Sequence, residues 1–157
     1  MKQLFCYPLL LVLSLSGQSA PEGRVFAAAV SRLNSTLRAL KDAGASRASL
    51  RLELVDEMMS LAESDSRPPR PVVARFADEL TSALIGRKLS SDQMTTVQQS
   101  IIEVLRRSGT SNLGLANRLQ ETLTALGISS SKTQLVLREF IAVGEAVQGP
   151  DDSPLAR

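Results

Sequence analysis

Glu53, Asp56 and Glu57 stand at i, i+3 and i+4, so a helix through them carries three carboxylates on one face. Such a set could offer oxygen ligands to a hard cation, or an acid and a base held at different proton affinities. A solvated helix face is the simpler expectation, because Thr96, Gln99 and Ser100 occupy the equivalent places 43 residues later. Little else could support catalysis. Beyond residue 20 the chain has no His, Trp, Tyr or Cys, which leaves carboxylates, hydroxyls, Lys and Arg as its reactive groups. Its aromatic residues there are Phe26, Phe76 and Phe140, too few to stack sugars or unpaired bases. No cofactor or metal is expected.

Two basic pairs, Arg87-Lys88 and Arg106-Arg107, could face an anionic surface. A basic pair that ends a helix, as Arg106-Arg107 would, more simply opposes the negative end of the helix dipole. Arg32, Arg75 and Arg118 form a third basic set, spaced 43 residues apart in both steps. One arginine per repeat can lay its stem over an apolar stripe and keep its head wet or paired. Alternatively, the three form a guanidinium ladder that recognises acidic segments of a protein partner. Met58, Met59 and Met94 could build an adaptable apolar surface, although core packing explains them as well.

Each of these arginines opens a related stretch, RLNSTLRAL from Arg32, RFADELTSA from Arg75 and RLQETLTAL from Arg118. The first and third agree at six of nine positions. The following helices align too: Leu54, Met58, Met59 and Leu61 fall on Val97, Ile101, Ile102 and Val104, and, with a hairpin turn four residues shorter, on Val136, Phe140, Ile141 and Val143. A period near 43 belongs to the range of two-helix repeats. The pattern predicts an all-α domain over residues 21–149, three tandem hairpins of about 24–63, 71–108 and 112–148. These six helices could form a closed bundle or a short α-solenoid.

Local signals mark the boundaries. Glycines at 44, 86, 109, 127 and 149 read as helix stops. Ser64 to Pro71 reads as an extended linker, with Pro71 able to open the next helix. Ser90-Ser91-Asp92-Gln93 fits a capping box, and Gly144 inside the last helix implies a close helix contact. At the start, MKQ followed by the apolar run Leu4 to Leu15 reads as a secretory signal peptide over residues 1–20, too short to span a bilayer. Its removal would take away Cys6, so no disulfide would brace the mature chain. Residues 150–157 read as a disordered tail.

Leu89-Ser90-Ser91-Asp92-Gln93 resembles the LTxxQ motif of the Spy-type periplasmic chaperones, with Ser90 in place of threonine. The resemblance implies a small periplasmic helical protein that cradles unfolded clients or senses envelope stress. The residues themselves favour an exported, periplasmic or secreted, non-enzymatic module that binds a protein, with no nucleic-acid partner and no membrane span after signal cleavage. The chaperone is the alternative, and a carboxylate-based hydrolase is a third possibility. A distinct patch on a polar surface would favour the binding module, a concave apolar groove the chaperone, and a pocket enclosing two carboxylates of raised proton affinity the hydrolase. If the arginine ladder serves recognition, charge reversal at Arg32, Arg75 and Arg118 together should weaken partner capture and leave the circular-dichroism melt unchanged. Unfolding of that variant would assign the three to structure.

Overall fold

The computed structural model describes residues 20–107 and 109–148. Apart from Ala20, the expected signal peptide lies outside the described residues, as does the tail over 150–157. Six helices, α1 (Ala20–Ala39), α2 (Arg47–Leu61), α3 (Arg70–Leu84), α4 (Ser91–Arg106), α5 (Asn112–Ala125) and α6 (Ser130–Gln148), are the regular elements, with one 3-10 turn at Ser64–Ser66 and no strand among the described residues. No helix of the described residues is long and apolar enough to cross a membrane.

Serine side chains open four of the helices. Ser46, Ser90, Ser111 and Ser129 each accept a hydrogen bond from the backbone N–H three residues on, satisfying one of the donors that a helix start leaves bare. At Ser90 the box is reciprocal: Gln93 N donates to Ser90 Oγ at 3.2 Å, and Ser90 N donates to Gln93 Oε1 at 2.8 Å. The proline linker is less extended than expected, since the 3-10 turn occupies its first three residues and Pro71 enters the helix at its second position. The α4 stop also differs from expectation, because Arg107 itself takes the left-handed conformation at φ 53° before Gly109.

Around the centre, α2, α3, α6 and α4 form a square of packed helices, α2 on α3, α3 on α6, α6 on α4 and α4 on α2. Helix α1 lies against α2 and α4, and α5 against α4 and α6. The core is almost wholly aliphatic, joined at the α3–α6 seam by Phe76 and Phe140, whose rings meet edge to face at 5.4 Å. At Gly144 of α6 an added Cβ would collide with the Asn112 amide at the start of α5, the close contact its position implied.

This packing corrects the three-hairpin expectation at its middle member. Helices α1 and α2 pack as a hairpin, and so do α5 and α6, but α3 and α4 occupy opposite corners of the square and share no packed face. The cause lies in the connection between them. Gly86 N donates to Leu40 O at 2.7 Å, and Arg87 Nη1 donates to Leu126 O at 2.7 Å, so the chain leaving α3 is pinned across the ends of α1 and α5. Gly86 sits at φ 77° with the Ala43 side chain 3.2 Å from where a Cβ would stand. Gly86→Ala should therefore cost about 1–2 kcal/mol through left-handed strain and crowding, measured as a lower urea midpoint with an unchanged m-value.

Candidate functional site

The strip from Arg87 to Ser90, laid across the bundle end, forms one wall of a cleft of about 270 Å³ between α1 and α4. From α1 come Asn34, Leu37, Arg38 and Lys41, and from the connection and α4 come Arg87, Lys88, Leu89, Ser90, Ser91, Met94, Thr95 and Gln98. Leu37, Leu89 and Met94 supply its apolar surface. Four cations border it, and no carboxylate is among the lining residues.

The grouping of those cations without an acid among them sets the cleft apart. Elsewhere several basic side chains meet acids across helix seams, Arg47 with Asp78, Arg70 with Asp56, Arg106 with Glu63 and Lys132 with Glu79, while Arg24, Arg32, Arg51 and Arg67 stand apart from one another without an ion pair among the described residues. The Arg38, Lys41 and Lys88 side chains form no hydrogen bond or ion pair among the described residues, and Arg87 spends one N–H on a carbonyl. Asp42, which could have answered Arg38 from one turn away, instead accepts from the Gly44 N–H at 2.9 Å. Asn34 adds a buried Oδ1 with no partner. Unneutralised cations over an apolar surface, with hydroxyls and amides between them, suit an anion attached to a partly apolar body.

The carboxylates lie on the other side of α1. Glu57 is only 5% exposed and points at α1, where its Oε2 lies 2.8 Å from Thr36 Oγ1 while its Oε1 is buried without a partner. Glu53 Oε2 approaches the same hydroxyl at 3.3 Å. Asp56 diverges to the surface and takes a 2.6 Å contact from Arg70. The expected solvated face is thus corrected at Glu57. Leu50, Leu54 and Leu61 are buried on the same helix, and position 57 falls within their stripe, a signal that the sequence carried and that its carboxylate character obscured.

Burial pushes the Glu57 carboxyl up to about 7, opposed by the Thr36 hydrogen bond and reinforced by the neighbouring Glu53 charge. Glu57 borders no part of the cleft, and no metal-holding group of acidic residues occurs among the described residues.

The repeated arginines occupy three different seams. Arg32 acts on Glu57 across α1 and α2, Arg75 Nε meets Glu139 of α6 at 3.6 Å, and Arg118 Nη1 meets Glu103 of α4 at 3.3 Å. They do not share a groove. Arg106 is similarly engaged, with Nη1 donating to Leu61 O at 3.2 Å and its guanidinium 4.6 Å above the Phe26 ring. Of the methionines, Met58 is fully buried, Met59 is half-buried, and Met94 reaches the cleft. The sequence pointed to Arg87-Lys88 but not to Arg38, Lys41 or Asn34.

Compared with known proteins, the chain matches no family model, no curated protein and no solved structure.

Because the folded pKa of Glu57 lies above its unfolded value of 4.5, its proton stabilises the fold in full below about pH 4.5, and that stabilisation is lost as pH rises through about 7. Glu57→Gln should remove the loss, gaining roughly 3 kcal/mol over wild type between pH 4.5 and pH 8 at the upper limit. Urea unfolding of both proteins across that range checks this, and parallel stability curves would contradict it.

Proposed function

We propose that this chain is a non-enzymatic protein-binding module that holds an acidic segment of a protein partner in the cleft between α1 and α4. The observation that carries the reading is the set of cations, Arg38, Lys41, Arg87 and Lys88, left without acidic partners around an apolar surface. The groups lining the cleft can bind and orient an anion, and they include no carboxylate, imidazole or thiol to act as base or nucleophile. The module works outside the cytoplasm, after loss of the apolar leader within residues 1–20.

An acidic peptide fits better than nucleic acid. A polynucleotide surface would call for a basic stripe or stacking aromatics, whereas four cations here gather at one cleft and the formal net charge is +2. Aspartate or glutamate side chains spaced along a peptide can reach Arg38 and Lys41 on one wall and Arg87 and Lys88 on the other. Apolar stems between them can rest on Leu37, Leu89 and Met94. The large apolar side chains left exposed, Val25, Leu52 and Leu113, are spread over three helices, and no observation favours the client-cradling alternative. The residues that resemble the chaperone motif serve here as the α4 cap and as cleft lining.

A labelled peptide of six aspartates should bind the native protein, with affinity falling as salt is raised. Arg38→Glu combined with Lys88→Glu should weaken it at least about tenfold, equivalent to about 1.4 kcal/mol. The same reversal at the exposed Arg24 and Arg67 should have little effect. Fluorescence anisotropy reads both outcomes, and equal weakening by the two double variants would overturn the assignment to the cleft.

A further inference from the structure

We infer that capture in the cleft is proton-linked through Glu57, with α1 as the connecting element: the acidic segment is held while Glu57 carries a proton and is released as Glu57 ionises. This rests on the cleft being the binding site.

The linkage begins with one hydroxyl serving two carboxylates. Thr36 Oγ1 lies within reach of both Glu57 Oε2 and Glu53 Oε2, yet it has a single proton to donate. When Glu57 is protonated, its O–H can donate to Thr36 Oγ1 while the Thr36 O–H donates to Glu53, and the seam holds one negative charge instead of two. When both carboxylates are ionised, the hydroxyl can satisfy only one of them, and the two charges are left facing each other beside a buried, unpartnered Glu57 Oε1. That state favours separation of α2 from α1, so that water can reach Glu57.

No neighbouring charge offers an alternative. On α2 itself Glu53 and Asp56 repel a negative Glu57, and from α1 the exposed Arg32 attracts it without an ion pair being formed. The α3 charges facing α2 are engaged, Arg70 with Asp56 and Asp78 with Arg47, and Arg106 of α4 is directed at Leu61 and Glu63.

Helix α1 transmits the change because it is a flanking element, packed on α2 and α4 alone among the described helices. One of its sides gives Thr36 to Glu57, and another gives Asn34, Leu37, Arg38 and Lys41 to the cleft. A looser α1–α2 seam therefore displaces one cleft wall relative to the α4 wall. The new negative charge acts in the same direction by weakening the local attraction for an anion.

The test uses the native protein and the six-aspartate peptide at pH 6 and pH 8, where the peptide carboxylates are ionised throughout. The chain has no histidine, and acetylation of its amino terminus removes the other group that ordinarily titrates in this interval. Wild type should bind at least about fivefold more tightly at pH 6 than at pH 8, the low end of couplings between two sites. Glu57→Gln should bind equally at both. A flat wild-type profile, or a pH dependence that survives in Glu57→Gln, overturns the linkage. Full binding at pH 6 by the Arg38→Glu, Lys88→Glu variant overturns the cleft assignment instead, whatever Glu57 does. Should Glu57→Gln fail to fold, carbon-detected NMR of the wild-type Glu57 carboxyl replaces it. Its midpoint should coincide with that of the Arg38 and Lys41 amide shifts, and different midpoints sink the linkage.

Discussion

The packing of α4 against four other helices is the constraint on which the remaining structure depends. It contributes Val97, Ile101, Val104 and Leu105 to the core, completes the square with α2, α3 and α6, and provides the surface on which α1 and α5 rest. With no cysteine beyond Cys6 to brace it, this assembly is held by aliphatic burial, of order 1.5–3 kcal/mol for each fully buried large side chain. That α4 meets α1 and α2 rather than α3 follows from the pinned connection at Gly86 and Arg87. The same connection lines the cleft, so the crossing that organises the fold also places cations beside α1.

Charge is distributed unevenly over this frame. Most acid–base pairs span helix seams at the surface, where each contributes little but none leaves an unmatched field. The cleft contains cations without acids, and the α1–α2 seam contains acids with one shared hydroxyl. Both departures involve α1. A helix that faces unmatched acids on one side and carries unmatched cations on another is the natural place for binding and protonation to influence each other.

Much of the helical register was legible in the sequence. The aligned columns of α2, α4 and α6 share burial: Leu54, Val97 and Val136 are buried, as are Met58, Ile101 and Phe140, while Met59, Ile102 and Ile141 are each half-buried. The arginines that open the motif are exposed in all three copies. Register is a local property, set by which residues recur every three or four positions. Helix pairing is not, and the departure of α3 from α4 turns on a hydrogen bond between Gly86 and Leu40 that no periodicity contains. The site was less legible for the same reason. Arg87-Lys88 stood out as adjacent cations, but Arg38 and Lys41 gain meaning only when the crossing brings the two groups to one cleft. Glu57 lay in an apolar stripe, and its partner Thr36 is 21 positions away on another helix.

Amide chemical-shift mapping tests the central claim most directly, since it locates a bound acidic peptide without perturbing the protein. With the unmodified protein and a saturating six-aspartate peptide, the largest shifts should fall on residues 34–41 and 87–98. Shifts concentrated at Arg106 and Arg107, or scattered over the seams of Arg32, Arg75 and Arg118, would contradict the assignment of binding to the α1–α4 cleft.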